Sequence, residues 1–369
     1  MASITGVKYH VLRESQNRSR AKEDKQFDAG IAPELLNNRV SFVCLLMHPD
    51  GKLYCGITAR DGDIFQRFDP QTERFESLGY PAVREQFEVK IHRSLELSAD
   101  GTIYGASAGL YTIDRRHEAT GGAIFKYHPK EGKIHKLAVP CPRDYIQTIT
   151  LDDKRKLIYG MTWPVSKFFV YDVARNVVED NDYVGSITHI GALDDAGCYW
   201  GTWDPVRHYL FKYDPSKRKT EYFKHSIPEG PEFANIMFPG AGPVDTMING
   251  GDGFMYIGTC GGTLVRLEPK TAQVEYLGRP SATRRMPGLV RWHGTLLLGA
   301  GGDAEGGFIF TYDRQTQAFK NLGPLVAADG TKLYRVHDLR VTADGRRAFI
   351  AETDVPNRSG HLWQCDLDF

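Results

Sequence analysis

Histidine and arginine recur side by side in this chain, in His92-Arg93, Arg116-His117 and Arg207-His208, and again with one residue between them in Arg335 and His337. Imidazole exchanges protons near neutral pH, and a guanidinium offers forked donors to a carboxylate. Tyr145, Trp163 and Trp203 add flat apolar faces with a polar tip, and His189 adds a further imidazole. Together these residue types suit an anionic, ring-shaped ligand such as an acidic sugar, and proton transfer on it. They are densest between His92 and Pro129, where strand and turn residues are interrupted by Asp114-Arg115-Arg116-His117-Glu118.

What would position such residues is a repeat. One unit recurs: an apolar strand, a turn built on Asp or Gly, a strand ending in Tyr-x-Gly or similar, a loop, a strand running into Tyr-Asp-Pro, and a last short strand. The Tyr-Asp-Pro place is taken by Phe68-Asp69-Pro70, Tyr127-His128-Pro129, Tyr171-Asp172-Val173, Tyr213-Asp214-Pro215, Leu267-Glu268-Pro269, Tyr312-Asp313-Arg314 and Cys365-Asp366-Leu367. A unit of roughly 40 to 50 residues made of four short strands cannot bury both its faces alone and must stack on its neighbours, as the blades of a β-propeller do. The sequence therefore predicts an all-β fold, a seven-bladed β-propeller, as a single domain over residues 1–369. The seventh unit ends at Phe369, directly after its third strand, so its fourth is expected from the other end of the chain. The segment from Gln26 to Ile31 (residues 26–31) resembles the fourth strands Phe75 to Gly79 and Phe319 to Gly323. It is expected to complete the last blade, so that an N-terminal strand closes the ring and removes an open sheet edge. Trp203-Asp204 is not repeated and the Gly-Gly pairs fall at different blade positions, so neither the WD40 nor the kelch pattern fits.

Composition narrows the function classes. The 46 basic residues balance the 46 acidic ones, so net charge points neither to nucleic acid nor to a membrane surface. No apolar run approaches the roughly 20 residues of a membrane helix. The start MASITGVKYHVLRES lacks the layout of a signal peptide; the chain is expected to be cytoplasmic, or secreted with its signal already removed, and monomeric. The six cysteines show no metal-cluster or redox spacing and read as buried strand residues, with Cys44 and Cys55 placed to face each other across a hairpin.

In a propeller the inner strand of each blade starts at one face of the ring, and the loop between second and third strands returns to that face. The inner-strand starts supply Phe42, His92 with Arg93, Tyr145 with Gln147, His189, Asp245, Arg291, and Arg335 with His337 and Asp338. The loops supply Arg116, His117, Trp163, Trp203, Arg207, His208 and Asp303. A lone His beside an apolar strand is ordinarily a hydrogen-bonded core residue, which is the plain reading of His189 and His337; Arg115-Arg116 in a polar loop is ordinarily a solvated turn; and Trp163 or Trp203 beside Pro or Asp can simply pack on a neighbouring blade. Blade 2 resists such readings, because its lengthened loop carries His117 back toward the face where His92 starts.

This layout resembles the seven-bladed propeller polysaccharide lyases, the ulvan lyases and rhamnosyl-glucuronate lyases, with the related propeller α-L-rhamnosidases. In those families one blade supplies two catalytic histidines, one on its inner strand and one on a loop some twenty residues later; here the second follows the first by 25 residues (117 minus 92). The resemblance implies catalysis by His92, His117 and Tyr145. It implies substrate binding by Arg93, Arg116, Trp163, His189, Trp203, Arg207, His208, Arg335 and His337. The implied reaction is β-elimination at a 4-linked uronic acid of an acidic oligosaccharide or polysaccharide. Where the family places an Arg one hairpin after its Tyr, this chain has Trp163, Ser166 and Lys167, so the guanidinium has to come from Arg207, Arg93, Arg116 or Arg335. No cofactor or metal is required, although the scattered His and Asp leave room for a structural cation. Three alternatives stand beside the lyase: a propeller glycoside hydrolase of the α-L-rhamnosidase type, a metal-dependent lactonase or lyase drawing on Asp245, Asp303, Glu305, His293 and His337, and a non-catalytic propeller that binds a sugar or a protein.

Overall fold

Glycine and phenylalanine face each other across the middle of five blades, Gly56 with Phe65 in the first. Gly105 is paired with Phe125, Gly160 with Phe169, Gly201 with Phe211 and Gly299 with Phe310. A Cβ on Gly105, Gly160 or Gly299 would lie 2.2, 2.2 or 2.1 Å from the facing ring. The Phe ring thus lies over the bare backbone of the neighbouring strand, a cross-strand contact in which the aromatic covers what glycine leaves open. This explains why a Gly near the end of the second strand and a Phe ahead of Tyr-Asp recur together in the sequence.

The computed structural model describes residues 2–12, 40–59, 62–111, 113–228, 243–355 and 358–369. It contains seven antiparallel sheets, each with a four-strand run from inside to outside. Blade 3 is typical, with Tyr145–Asp152, Leu157–Trp163, Lys167–Asp172 and Val177–Tyr183 in that order. Its inner strand is buried at every position, whereas its outer strand is half or fully exposed. Blades cover each other on both faces, so the inner strands read as continuous apolar runs rather than as a strict alternation. The largest buried cluster crosses the seam of the ring: Phe42, Leu45 and Phe68 of blade 1 pack with Phe349, Ala351 and Leu362 of blade 7. No helix among the described residues is long and apolar enough to cross a membrane.

The last blade consists of Val336–Val341, Arg347–Glu352 and Leu362–Asp368, and its fourth strand is Ser3–His10, paired antiparallel with Leu362–Asp368. Closure is by an N-terminal strand, as the missing fourth strand predicts. The strand itself is Ser3–His10, in the place expected for Gln26 to Ile31, which lie outside the described residues. Its side chains account for the choice. Tyr9 stacks on His361 at 4.4 Å and lies 5.4 Å from Trp363, covering the two large rings at the open edge.

Near the channel the inner strands are irregular. The ladder slips between Phe42 and Cys44, Ile146 and Thr148, Val244 and Thr246, and Val336 and Asp338. A slip of this kind leaves one residue unpaired and re-aims its side chain; the residues at these slips are Val43, Gln147, Asp245 and His337. In blades 2 and 4 the inner strand begins only at Leu95 and Ala192, so His92, Arg93 and His189 precede the ladder. Two further short strands, Glu88–Lys90 and Ala108–Gly109, belong to no blade's four, and the first of them links blades 1 and 2. It pairs with the end of the second strand of blade 1 at Thr58 and with Ala108–Gly109 of blade 2.

The cysteines are all free and buried. Cys44 and Cys55 lie on adjacent strands without a bond between them, and burial holds the Cys44 thiol up at about 12.

Candidate active site

Because the inner-strand starts are not held by their own ladders, their side chains hold the neighbouring blades. His92 donates from Nδ1 to the carbonyl of Gln147 at 2.7 Å, and His337 does the same to Val43 at 2.8 Å. His189 Nδ1 meets a carboxylate oxygen of Asp245 at 3.2 Å. A proton fixed on Nδ1 leaves Nε2 as the lone-pair nitrogen, so each of these rings is set in one tautomer. The three rings face one another: His92 lies 4.8 Å from His337 and 5.9 Å from His189, both edge to face. Among the described residues the partner of His92 Nε2 is the Gln147 amide, at a long 3.5 Å.

Arg93, one residue on from His92, points the other way, as neighbours along an extended chain do. Its guanidinium crosses the channel and donates to the carbonyls of Asp245, Pro287 and His337, from blades 5, 6 and 7. The expectation that Arg93 binds substrate is corrected here: its side chain is wholly covered and satisfies carbonyls that would otherwise be buried without donors. Asp245 anchors the same layer. It accepts from Arg285 at 2.9 and 2.7 Å and from the Met286 amide. Burial alone would raise the Asp245 carboxyl, but Arg285, His189 and Arg93 hold it well below the usual range.

His92 is held well below its ordinary value, first by burial and then by the charges of Lys90, His337, His189 and Arg93. His337 and His189 are lowered chiefly by burial as well, the latter against the pull of Asp245. These imidazoles are therefore neutral near pH 7. Tyr145 opens the inner strand of blade 3 two residues before Gln147; burial raises its phenol far above the ordinary value, so it keeps its proton. Tyr111 packs edge-on to Tyr145 at 6.5 Å and donates to the Arg143 carbonyl. Trp163 stands across the ladder from Tyr145. The Lys90 ammonium lies over the Tyr145 ring, 5.5 Å from its centre.

The structure thus brings His92, Tyr145, Trp163, His189 and His337 to one end of the channel, with Gln147 and Lys90 beside them. Other expected members lie elsewhere. His117 sits on the short 3-10 helix Ile113–Glu118, exposed, with Nδ1 donating to the Asp114 carbonyl at 2.8 Å. No hydrogen bond or ring contact joins it to His92. Arg116 is bound to the buried Asp144, which Lys167 also approaches at 3.2 Å. Trp203 turns outward, packing on Tyr209 and Tyr222 and donating to the Phe223 carbonyl of its own blade's outer strand. Arg207 is exposed in the following turn, and His208 is buried against Ser186 at 2.8 Å in a chain of hydroxyls with Thr202 and Thr188. Arg335 is paired with Asp303 at 2.6 Å.

The residues expected to serve a metal-dependent enzyme do not converge. Asp245 is in the channel wall, His293 packs on Phe369 at an exposed hairpin, Glu305 is exposed, and Asp303 is committed to Arg335. One other set, His189, Asp245 and Cys260, has ligand atoms within 4.8 Å of one another. Its donor chemistry is unsuited to a cation: the carboxylate already carries one guanidinium with a second 3.8 Å away, and burial pushes the Cys260 thiol far up, against a thiolate.

The sequence reading placed Gln147 at the mouth beside Tyr145, and missed Lys90 and the Asp245–Arg285 pair. The signal for Lys90 is the alternation of charged with apolar residues in Phe87-Glu88-Val89-Lys90-Ile91, directly before His92.

No protein-family model matches this chain, and no curated protein matches it. Among solved structures it is similar to the extracellular domain of a hybrid two-component system from B. thetaiotaomicron, at 13% identity and a TM-score of 0.59. The chain is a seven-bladed β-propeller. That alignment covers 97% of this chain and 42% of the other, so the chain spans less than half of its neighbour's length. At such identity the likeness carries the architecture alone, and a propeller fold hosts many unrelated activities.

Proposed function

We propose that the channel mouth is the active site of a carbohydrate-active enzyme that cleaves a uronate-containing oligosaccharide by β-elimination. The observation that carries this reading is His92: a neutral imidazole, its proton fixed on Nδ1 by the Gln147 carbonyl, with Nε2 left as the base. Nε2 takes the proton alpha to the uronate carboxylate; that C–H electron pair forms the C4–C5 double bond as the bond from C4 to the glycosidic oxygen breaks. The departing oxygen takes a proton from Tyr145, whose phenol burial keeps protonated. Trp163, across from Tyr145, offers an apolar face to a sugar ring.

In this reading the base and acid are His92 and Tyr145, since His117 has no contact with them. The test is a screen of 4-linked uronate oligosaccharides for the ultraviolet absorbance of the unsaturated product. Absorbance growing with one acidic class supports the reading. Reducing ends released without it would indicate hydrolysis, and no turnover of any acidic class would leave a binding propeller.

A further inference from the structure

The other basic side chains around this end of the channel are committed. Arg93 is covered and spent on three carbonyls, Arg116 on Asp144, Arg285 on Asp245 and Arg335 on Asp303. Lys90 differs. Among the described residues its ammonium has no carboxylate within ion-pair distance, and its neighbour is the face of Tyr145 at 5.5 Å. Its backbone is pinned on two sides, by Thr58 of blade 1 and Ala108 of blade 2, so the side chain starts from a fixed place between the blades. Its charge is the strongest single charge acting on the ring of His92, two residues further on.

We propose that Lys90 is the anion-binding residue of this mouth: its ammonium takes the carboxylate of an acidic sugar and holds it beside Tyr145 and His92. This rests on the reading that the mouth accepts an acidic saccharide, and it adds the group that selects acid over neutral sugar. A half-buried ammonium without a counter-charge is costly, and a bound carboxylate supplies one. The sense of the burial effect agrees, since the amine is lowered to about 8, opposed only by Asp354. The same ion pair would place positive charge where elimination needs it, on the carboxylate beside the acidic carbon.

The experiment compares binding of D-glucuronate and its uncharged methyl ester to the intact chain by calorimetry, for the wild type, Lys90→Met and Lys90→Arg. The wild type is expected to prefer the acid roughly tenfold. Lys90→Met should bind acid and ester alike, and Lys90→Arg should recover much of the preference. A Lys90→Met protein that keeps the preference, or a wild type with none, overturns the proposal. As a check that needs no variant, trinitrobenzenesulfonate labelling of Lys90 in the wild type should be slowed by D-glucuronate and not by D-glucose; equal labelling overturns it. Acid preference through Lys90 without any unsaturated product keeps the anion site and removes the lyase. Product formed by Lys90→Met with unchanged KM removes the Lys90 assignment and leaves the lyase standing.

Discussion

The chemistry proposed for the mouth depends on histidines that stay uncharged. His92, His189 and His337 are buried, each with Nδ1 committed, and His10 and His361 are buried elsewhere, the latter lowered to about 4. All five are held below the roughly 6.5 of an unfolded histidine. Below that value the unfolded chain binds protons that the folded one does not, so stability is full above it and is lost as pH falls toward each folded value. Each histidine contributes a slope of about 1.4 kcal/mol per pH unit within its window. Glu96, raised by burial to about 7, works the other way, losing stability as pH rises toward 7. The histidines outnumber it, so the urea midpoint is expected to fall steadily as pH drops below about 6.5. A midpoint that stays flat or rises down to about pH 5 would mean that these rings are not buried neutral.

At the scale of the strand, the pairing of Gly with Phe makes a sharp demand. In Gly160→Ala the new methyl would meet the Phe169 ring at 2.2 Å, and the inner blade has no slack to absorb it. The substitution is expected to cost about 1 to 3 kcal/mol in urea unfolding, and pairing it with Phe169→Leu should recover part of that loss. Additive losses in the double variant would show that the ring is not the obstacle. These strands were legible in the sequence because every blade repeats them. Lys90 was not, because Glu88–Lys90 is a linking strand outside the repeat. Nor was the covering of Arg93: His92 and Arg93 read as one basic pair, and only the alternation of the extended chain sends one to blade 3 and the other across the channel. The Asp245–Arg285 pair joins residues 40 apart, and nothing local announces it.

For the whole molecule, the ring stands or falls with its seam. Seven blades and closure from the N-terminal side followed from counting units and from a last unit one strand short, but the closing strand was expected at Gln26 to Ile31 because those residues resemble other outer strands. Ser3–His10 does not resemble them; it was chosen by what it covers, Tyr9 lying on His361 and Trp363, and it is tied to blade 1 by the Lys8–Glu73 pair. Removing residues 1–10 should lower the melting temperature and promote self-association through the bared edge, read by calorimetry and light scattering; an unchanged, monodisperse protein would contradict the seam. The claim on which the functional account rests is that His92 at the channel mouth, and not the exposed His117, carries the chemistry. The most direct measurement is turnover of an active uronate oligosaccharide by His92→Ala and His117→Ala, each first shown to be folded. The account predicts a loss of about 10²- to 10⁴-fold for His92→Ala and a rate near wild type for His117→Ala; near-wild-type turnover by His92→Ala would contradict it.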